Sequence, residues 1–146
     1  MKLHIQEEGD LQETEITIRC RRLDKNVEKI VAMLRIMEQK LTGEKEGQTY
    51  ILDASEVLYI DTADKKTFLY TGKEVYETSF KLYELEEQLA DSDFFRAGKS
   101  CIINFNQIRS IRPDLDGKLM VTMNNDERLA VSRQYAGTIK KKLGVR

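Results

Sequence analysis

One histidine, one proline, two cysteines and no tryptophan leave this 146-residue chain short of the groups from which most catalytic centres are built. His4 stands alone in an acidic N-terminal stretch, so a metal site with several histidines is excluded. Any Ser-His or Cys-His nucleophile pair would have to recruit that one residue. No GxxxxGK phosphate loop ending in Ser or Thr is present, and no GxGxxG follows a strand. Asp114 and Asp116 are the nearest approach to paired carboxylates, but they bracket a glycine turn beside Pro113 and read as turn chemistry. The chain is read as a non-enzyme that calls for no cofactor. Cys20 and Cys101 lie far apart in apolar alternating stretches, without a CxxC or a neighbouring histidine, and are expected to be buried free thiols.

Long apolar runs are missing too. Ile30 to Leu34 and Cys101 to Ile103 are short and bounded by polar or charged residues, whereas a membrane span needs about 20 mainly apolar residues and a signal peptide roughly 7 to 15. A cytoplasmic location is therefore expected. What is there suits a folded domain: 40% hydrophobic and 34% charged residues, enough for one core with an appendage.

The net charge of -1 conceals a gradient. Residues 1–62 carry 9 Lys or Arg against 13 Asp or Glu, and residues 63–146 carry 15 against 12. Two stretches hold bases and no acid: Phe94 to Pro113, with Arg96, Lys99, Arg109 and Arg112, and Leu129 to Arg146, with Arg133, Lys140, Lys141, Lys142 and Arg146. Brought together they would make a polyanion-binding face; left apart they are solvated surface. Charge alone leaves both readings open.

Periodicity divides the chain. Glu15 to Cys20 alternates Ile16, Ile18 and Cys20 with Thr17 and Arg19, predicting a half-buried strand. From Asp24, a suitable N-cap, Val27, Ile30, Val31, Leu34 and Leu41 predict a helix ending near Gly43. Its apolar stripe must cover something, either its own β domain or a second copy. The polar run Glu44 to Gln48 reads as a linker, dividing a strand-helix extension over 1–46 from a domain over 47–146. Beyond it come short strands and tight turns: Tyr50–Asp53, Val57–Thr62, Lys66–Thr71 and Val75–Thr78. A brief helix with Leu82, Leu85 and Leu89 on one face follows, then extended segments at Phe94–Asn104, Arg109–Arg112, Leu119–Met123 and Arg128–Val131. Ser132 caps a final helix that places Tyr135, Ile139 and Leu143 on one stripe.

From Val57 to Leu143 the sequence resembles the LytTR DNA-binding domain. The resemblance rests on Val57-Leu58-Tyr59-Ile60-Asp61, Leu82-Tyr83-Glu84-Leu85-Glu86 with Leu89, Phe94-Phe95-Arg96, Lys99-Ser100, Ile102-Ile103-Asn104, Ile108-Arg109-Ser110-Ile111 and Leu129-Ala130-Val131-Ser132-Arg133-Gln134-Tyr135-Ala136, in that order. It implies a mainly β fold, an elongated domain of short antiparallel sheets with small helices, and promoter DNA as ligand. Loops rather than a recognition helix would enter the major grooves of double-stranded DNA, usually as a homodimer on direct repeats. Residues 1–46 are too short for the receiver domain often fused to this family. Stand-alone members are more similar and tend to be encoded beside small membrane proteins, which makes a membrane-protein partner a further implication.

Three donor-rich regions follow from the resemblance as candidate contacts. Lys65, Lys66 and Thr67 form the first, with lysines for phosphates and a threonine for a base edge. Arg96, Gly98, Lys99 and Ser100 form the second, the glycine permitting close backbone approach. Ser132, Arg133 and Gln134 form the third, at a helix start where free amides favour phosphate and the side chains can read guanine or adenine. Asn104 is read as a cap or turn residue, and Tyr135 as a core residue. The chain departs from the family pattern at Gly98, where histidine is common, at Cys101, where an aromatic is, and at Gln134, where a second arginine is; these bear on which bases are read. Two other readings use the same residues: a protein-docking module with a basic rim, and an RNA-binding regulator stacking bases on Phe94 and Phe95.

Overall fold

The computed structural model describes residues 1–144, and for 36–38 the backbone alone. Arg146, counted among the C-terminal bases, lies outside the described residues. Residues before Lys25 form no helix or strand. The alternating segment Glu15–Cys20 therefore corrects the expected strand: no other strand pairs with it, and Ile16 is 63% exposed. Cys20 is exposed as well, against the expectation of burial.

Helix α1 (Lys25–Glu38) begins where the Asp24 carboxylate accepts from the Val27 amide at 3.0 Å. It ends earlier than Leu41 suggested. Strand β1 (Lys40–Lys45) alternates exposed Lys40, Thr42 and Glu44 with buried Leu41 and Gly43, and pairs in register with β2 (Gln48–Asp53). The supposed linker is the turn of this hairpin, closed by Glu46 and Gly47 at φ 51° and 78°. Both left-handed positions together make the primed turn that matches the twist of paired strands. Leu41 misled the helical reading because one buried position can satisfy either period.

Strands β3 (Val57–Ala63), β4 (Lys66–Thr71), β5 (Val75–Thr78), β6 (Phe94–Gly98) and β7 (Cys101–Asn104) complete a seven-stranded sheet in the order β2-β1-β5-β4-β3-β7-β6. Its neighbours pair antiparallel throughout. A second sheet, β10-β9-β8, comprises β8 (Ile108–Pro113), β9 (Leu119–Met123) and β10 (Arg128–Val131). Helix α2 (Leu82–Gln88) lies between β5 and β6, and α3 (Arg133–Leu143) closes the chain.

The central strands are apolar on both faces because both faces are covered. Ile60, Leu69, Phe94 and Ile102 join Leu82, Leu85 and Leu89 of the α2 segment in one core. Their sequence neighbours Tyr59, Phe95 and Ile103 point the other way and meet Leu119, Val121, Met123, Val131, Ala136 and Ile139 of the second sheet and α3. A bulge between Val57 and Tyr59 sends Leu58 to that second core beside Tyr59. Two cores on one sheet hold α3 and the turns around it in fixed places, and those places set the candidate site.

Candidate nucleic-acid interface

The three donor-rich regions are far apart in sequence, and two backbone hydrogen bonds join them. The Thr62 N–H donates to the Ser100 carbonyl at 3.0 Å, tying the β3–β4 turn to the β6–β7 turn. The Ser132 N–H donates to the Ala97 carbonyl at 2.9 Å, tying the start of α3 to β6. All three regions therefore sit at one end of the seven-stranded sheet, with the β6–β7 hairpin as their common support.

In the first region Ala63 pairs with Lys66, leaving Asp64 and Lys65 as the turn. Both are left-handed, at φ 52° and 66°, without a glycine. For L-residues that conformation costs roughly 1–2 kcal/mol each. Lys65 stands exposed at the tip. Lys66 faces Glu77 at 3.7 Å, a solvent-exposed pair. Thr67 is 4% exposed and lines a cleft of mixed charge with Lys65, Lys66, Lys81, Glu44 and Glu77, so little of it is offered to a partner.

The second region is organised by Arg96. Its Nε donates to the Gly98 carbonyl at 2.7 Å, its Nη2 to the Lys99 carbonyl at 2.7 Å and its Nη1 to Glu86 at 2.9 Å. The guanidinium fork is thus engaged by its own turn and by α2, and the side chain is only 18% exposed. Lys99 and Ser100 occupy the tip and are exposed. A side chain at Gly98 would meet nothing within 4 Å, so this glycine leaves open space on the outer surface rather than relieving a clash.

In the third region Ser132 adopts an extended N-cap conformation and its hydroxyl makes no cap bond. The Tyr135 amide donates to the Ser132 carbonyl at 2.9 Å, leaving the amides of Arg133 and Gln134 open where both side chains are exposed. Ala136 and Ile139 are buried, and Tyr135 packs against the second core, which fixes the helix from its inner face. Lys140, Lys141 and Lys142 fall in the last turn, where the helix dipole favours cations.

Charge compensation separates these bases into two sets. Lys66, Arg96, Arg109 and Lys142 each have a carboxylate within 4.0 Å. Among the described residues Lys65, Lys99 and Arg133 have none. One uncompensated cation from each loop is the electrostatic pattern a row of phosphates would meet.

Other polar groups near the site serve the scaffold. Asn104 is 1% exposed; its Nδ2 donates to the Val57 carbonyl at 2.9 Å and its Oδ1 accepts from the Asn106 amide at 3.1 Å. Phe94 and Phe95 are each 6% exposed, core residues with no face for a stacked base. Burial pushes the Cys101 thiol up to about 12, aided by Asp61 across the strand pair, so at neutral pH it stays protonated and unreactive. Burial likewise raises Asp61, whose Oδ1 lacks a hydrogen bond, with the neighbouring Tyr70 hydroxyl opposing the shift. No group of His, Cys, Asp and Glu among the described residues could hold a metal ion. No helix among them is long and apolar enough to cross a membrane.

The turn between β8 and β9 was legible in the sequence, but its place beside α3 was not. Asp114 caps a 3-10 turn, accepting from the Leu115 amide at 2.9 Å, and Asp116 and Gly117 are left-handed at φ 59° and 77°. This turn packs on α3, with Gly117 directly against the Arg133 side chain. An Asp-Gly pair announced a turn. Nothing in the sequence announced its neighbour.

Comparison with known proteins agrees with this architecture. A family model described as the LytTr DNA-binding domain matches residues 47–144. A solved LytTr DNA-binding domain from a Bacillus cereus protein described as a methyl-accepting/DNA response regulator superposes with a TM-score of 0.68 at 31% identity, covering 73% of this chain and 98% of that one. The sensory transduction protein LytT of Bacillus subtilis (strain 168) is 32% identical over 95 residues, which are 65% of this chain but 39% of LytT, so the match spans about two-fifths of that relative. A Staphylococcus aureus (strain NCTC 8325) protein named as an uncharacterized HTH-type transcriptional regulator is 25% identical over 147 residues, covering 99% of both chains. The label in that name does not describe this fold: strands separate α1, α2 and α3 from one another, and no helix-turn-helix occurs among the described residues. With the family model matched over 47–144 and a solved domain of that family superposing on most of the chain, this chain belongs to the LytTR DNA-binding domain family.

Proposed function

We propose that this protein is a cytoplasmic, sequence-specific regulator of transcription that grips promoter DNA with the loops at one end of its seven-stranded sheet. The observation that carries the reading is the pair of backbone bonds, Thr62 to Ser100 and Ser132 to Ala97, which gathers three separate loops around the β6–β7 hairpin. Lys65 and Lys99, cations without carboxylate partners, face the phosphates, and Ser100 and Ser132 supply neutral donors and acceptors. Arg133 and Gln134 read bases from the open end of α3. Lys66 adds charge from its exposed pair with Glu77. Arg96, Gly98 and Thr67 act through the loops: Arg96 holds the β6–β7 turn in shape, Gly98 keeps its outer surface clear, and Thr67 lines the cleft beside Lys65.

The functional division falls near residue 46, with DNA contact confined to 47–146 and the preceding helix available for self-association. Val27, Ile30, Val31 and Leu34 of α1 are only half-buried against the β domain and Met33 is 46% exposed, which supports pairing of two copies on DNA. Burial of Phe94 and Phe95 disfavours the RNA-binding reading, since neither ring can stack on a base.

The test is selection of duplexes from a random pool by the whole chain, followed by a mobility shift across salt concentrations. With Lys65, Lys66 and Lys99 at phosphates, each bound copy is expected to contribute about -3 to the log-log salt slope. Lys65→Ala and Lys99→Ala should each flatten the slope by about 0.9 and weaken all sequences alike. Arg133→Ala should instead cost about 1–3 kcal/mol at particular bases. Failure to enrich any sequence and to retard DNA at low salt would sink the reading.

A further inference from the structure

We propose that Gly117 is a positioning residue for Arg133, making the β8–β9 turn a fourth part of the DNA-reading surface. The inference rests on the function proposed above. A Cβ on Gly117 would stand 2.9 Å from both Cγ and Cδ of Arg133 and 3.8 Å from its Cβ. The arginine stem therefore lies across the bare Cα of the glycine, at a distance that any side chain at 117 would forbid.

Both partners in this contact are held firmly. The turn is closed by the Asp114 N–H donating to the Lys118 carbonyl at 2.9 Å and the Lys118 N–H donating to the Leu115 carbonyl at 3.2 Å. Asp114 caps it from within, and the left-handed Asp116 and Gly117 aim the glycine at the helix. On the other side, Arg133 is the first residue of α3, one residue after the Ser132 tie to Ala97. Cγ and Cδ are thus pressed against a rigid shelf while the guanidinium, free of any carboxylate among the described residues, extends beyond it.

An arginine loses much rotational freedom when it forms a forked contact with guanine, and a stem already laid down loses less on binding. Placement of the first torsions also fixes which base pair the fork can reach. Glycine at 117 does two things here, adopting φ 77° and leaving room for the stem. Only the second concerns DNA.

A double-mutant cycle on the full chain separates them. The readout is the ratio of affinities for the duplex enriched by selection and for a scrambled duplex, which strain in the turn alone would leave unchanged. Gly117→Ala should lower that ratio about three- to ten-fold, the effect of freeing one long side chain. In an Arg133→Ala background, where the two close contacts at 2.9 Å are gone and the Cβ stands at an ordinary 3.8 Å, the same substitution should leave the ratio unaltered. Gly117→Asn carries the same Cβ but tolerates the left-handed region, so it keeps the test intact should the alanine variant fold poorly. An unchanged ratio in Gly117→Ala and Gly117→Asn, or an equal loss in both backgrounds, overturns the inference alone. If the unsubstituted chain shows no site preference, the DNA reading falls and this inference with it.

Discussion

At the scale of single residues, the site is made from groups that the scaffold does not neutralise or satisfy. Lys65 is the plainest case: exposed, without a carboxylate partner among the described residues, and left-handed at φ 66° where a glycine would rest easily. A lysine kept in that conformation points to a use for its charge. Lys65→Gly should relieve the backbone and stabilise the fold by about 0.5–1 kcal/mol, after subtracting the greater freedom of glycine in the unfolded chain. It should also remove one phosphate contact, lowering the salt slope by about 0.9. Thermal melts beside shift assays check both signs together; a less stable Lys65→Gly, or one that binds DNA as before, contradicts this account. Arg96 shows the opposite logic. The sequence singled it out by charge, yet its fork is spent on the Gly98 and Lys99 carbonyls and Glu86, partners that no local pattern reveals.

Among elements, α3 carries the reading end and needs an anchor at its other end, because Gly137 weakens a helix interior by about 1 kcal/mol relative to alanine. The anchor is Asp93, 5% exposed, whose Oδ1 accepts from Lys142 at 3.0 Å while its Oδ2 accepts from Asn106 at 3.0 Å and its carbonyl from the Phe105 amide at 2.8 Å. Lys142→Ala would leave that carboxylate with less compensation, a loss of about 1–2 kcal/mol once the 29% exposure of the lysine is allowed for. The Ser132 tie to Ala97 is untouched by this change. Chemical denaturation should therefore show a lower midpoint for Lys142→Ala, while its ratio of affinities for selected and scrambled DNA matches that of the unsubstituted chain. A selective fall in that ratio would mean that α3 is positioned from its C-terminal end instead. The elements themselves were largely legible: β-branched and aromatic runs between turn signals located β3, β4 and β10, the spacing of Leu119, Val121 and Met123 located β9, and Ser132 marked the start of α3. Where reading failed, the cause was a missing partner. Glu15–Cys20 has the alternation of a strand but no neighbour, whereas Lys40–Lys45 is a strand because β2 and β5 flank it.

For the whole molecule, that last contrast decides where the folded unit starts. The family match begins at residue 47, inside the β1–β2 turn, yet β1 lies before it and sits between β2 and β5. Leu41 is 3% exposed within the first core, and Gly43 lies so close to Tyr76 that a Cβ there would stand 2.5 Å from the tyrosine Cβ. Removing β1 would detach β2 from the sheet, uncover Leu52 and leave β5 as a bare edge, the usual template for aggregation. Losing the buried Leu41 alone is worth about 2–5 kcal/mol. Residues 1–23, by contrast, contribute no element and no buried side chain. A chain starting at Lys40 gives up the half-buried α1 as well but keeps both cores, and should fold and melt cooperatively. One starting at Gln48 should melt well below it and associate on concentration, as followed by calorimetry and light scattering. Equal melting of the two chains would show that β1 is peripheral, and that the unit able to fold coincides with the family match after all.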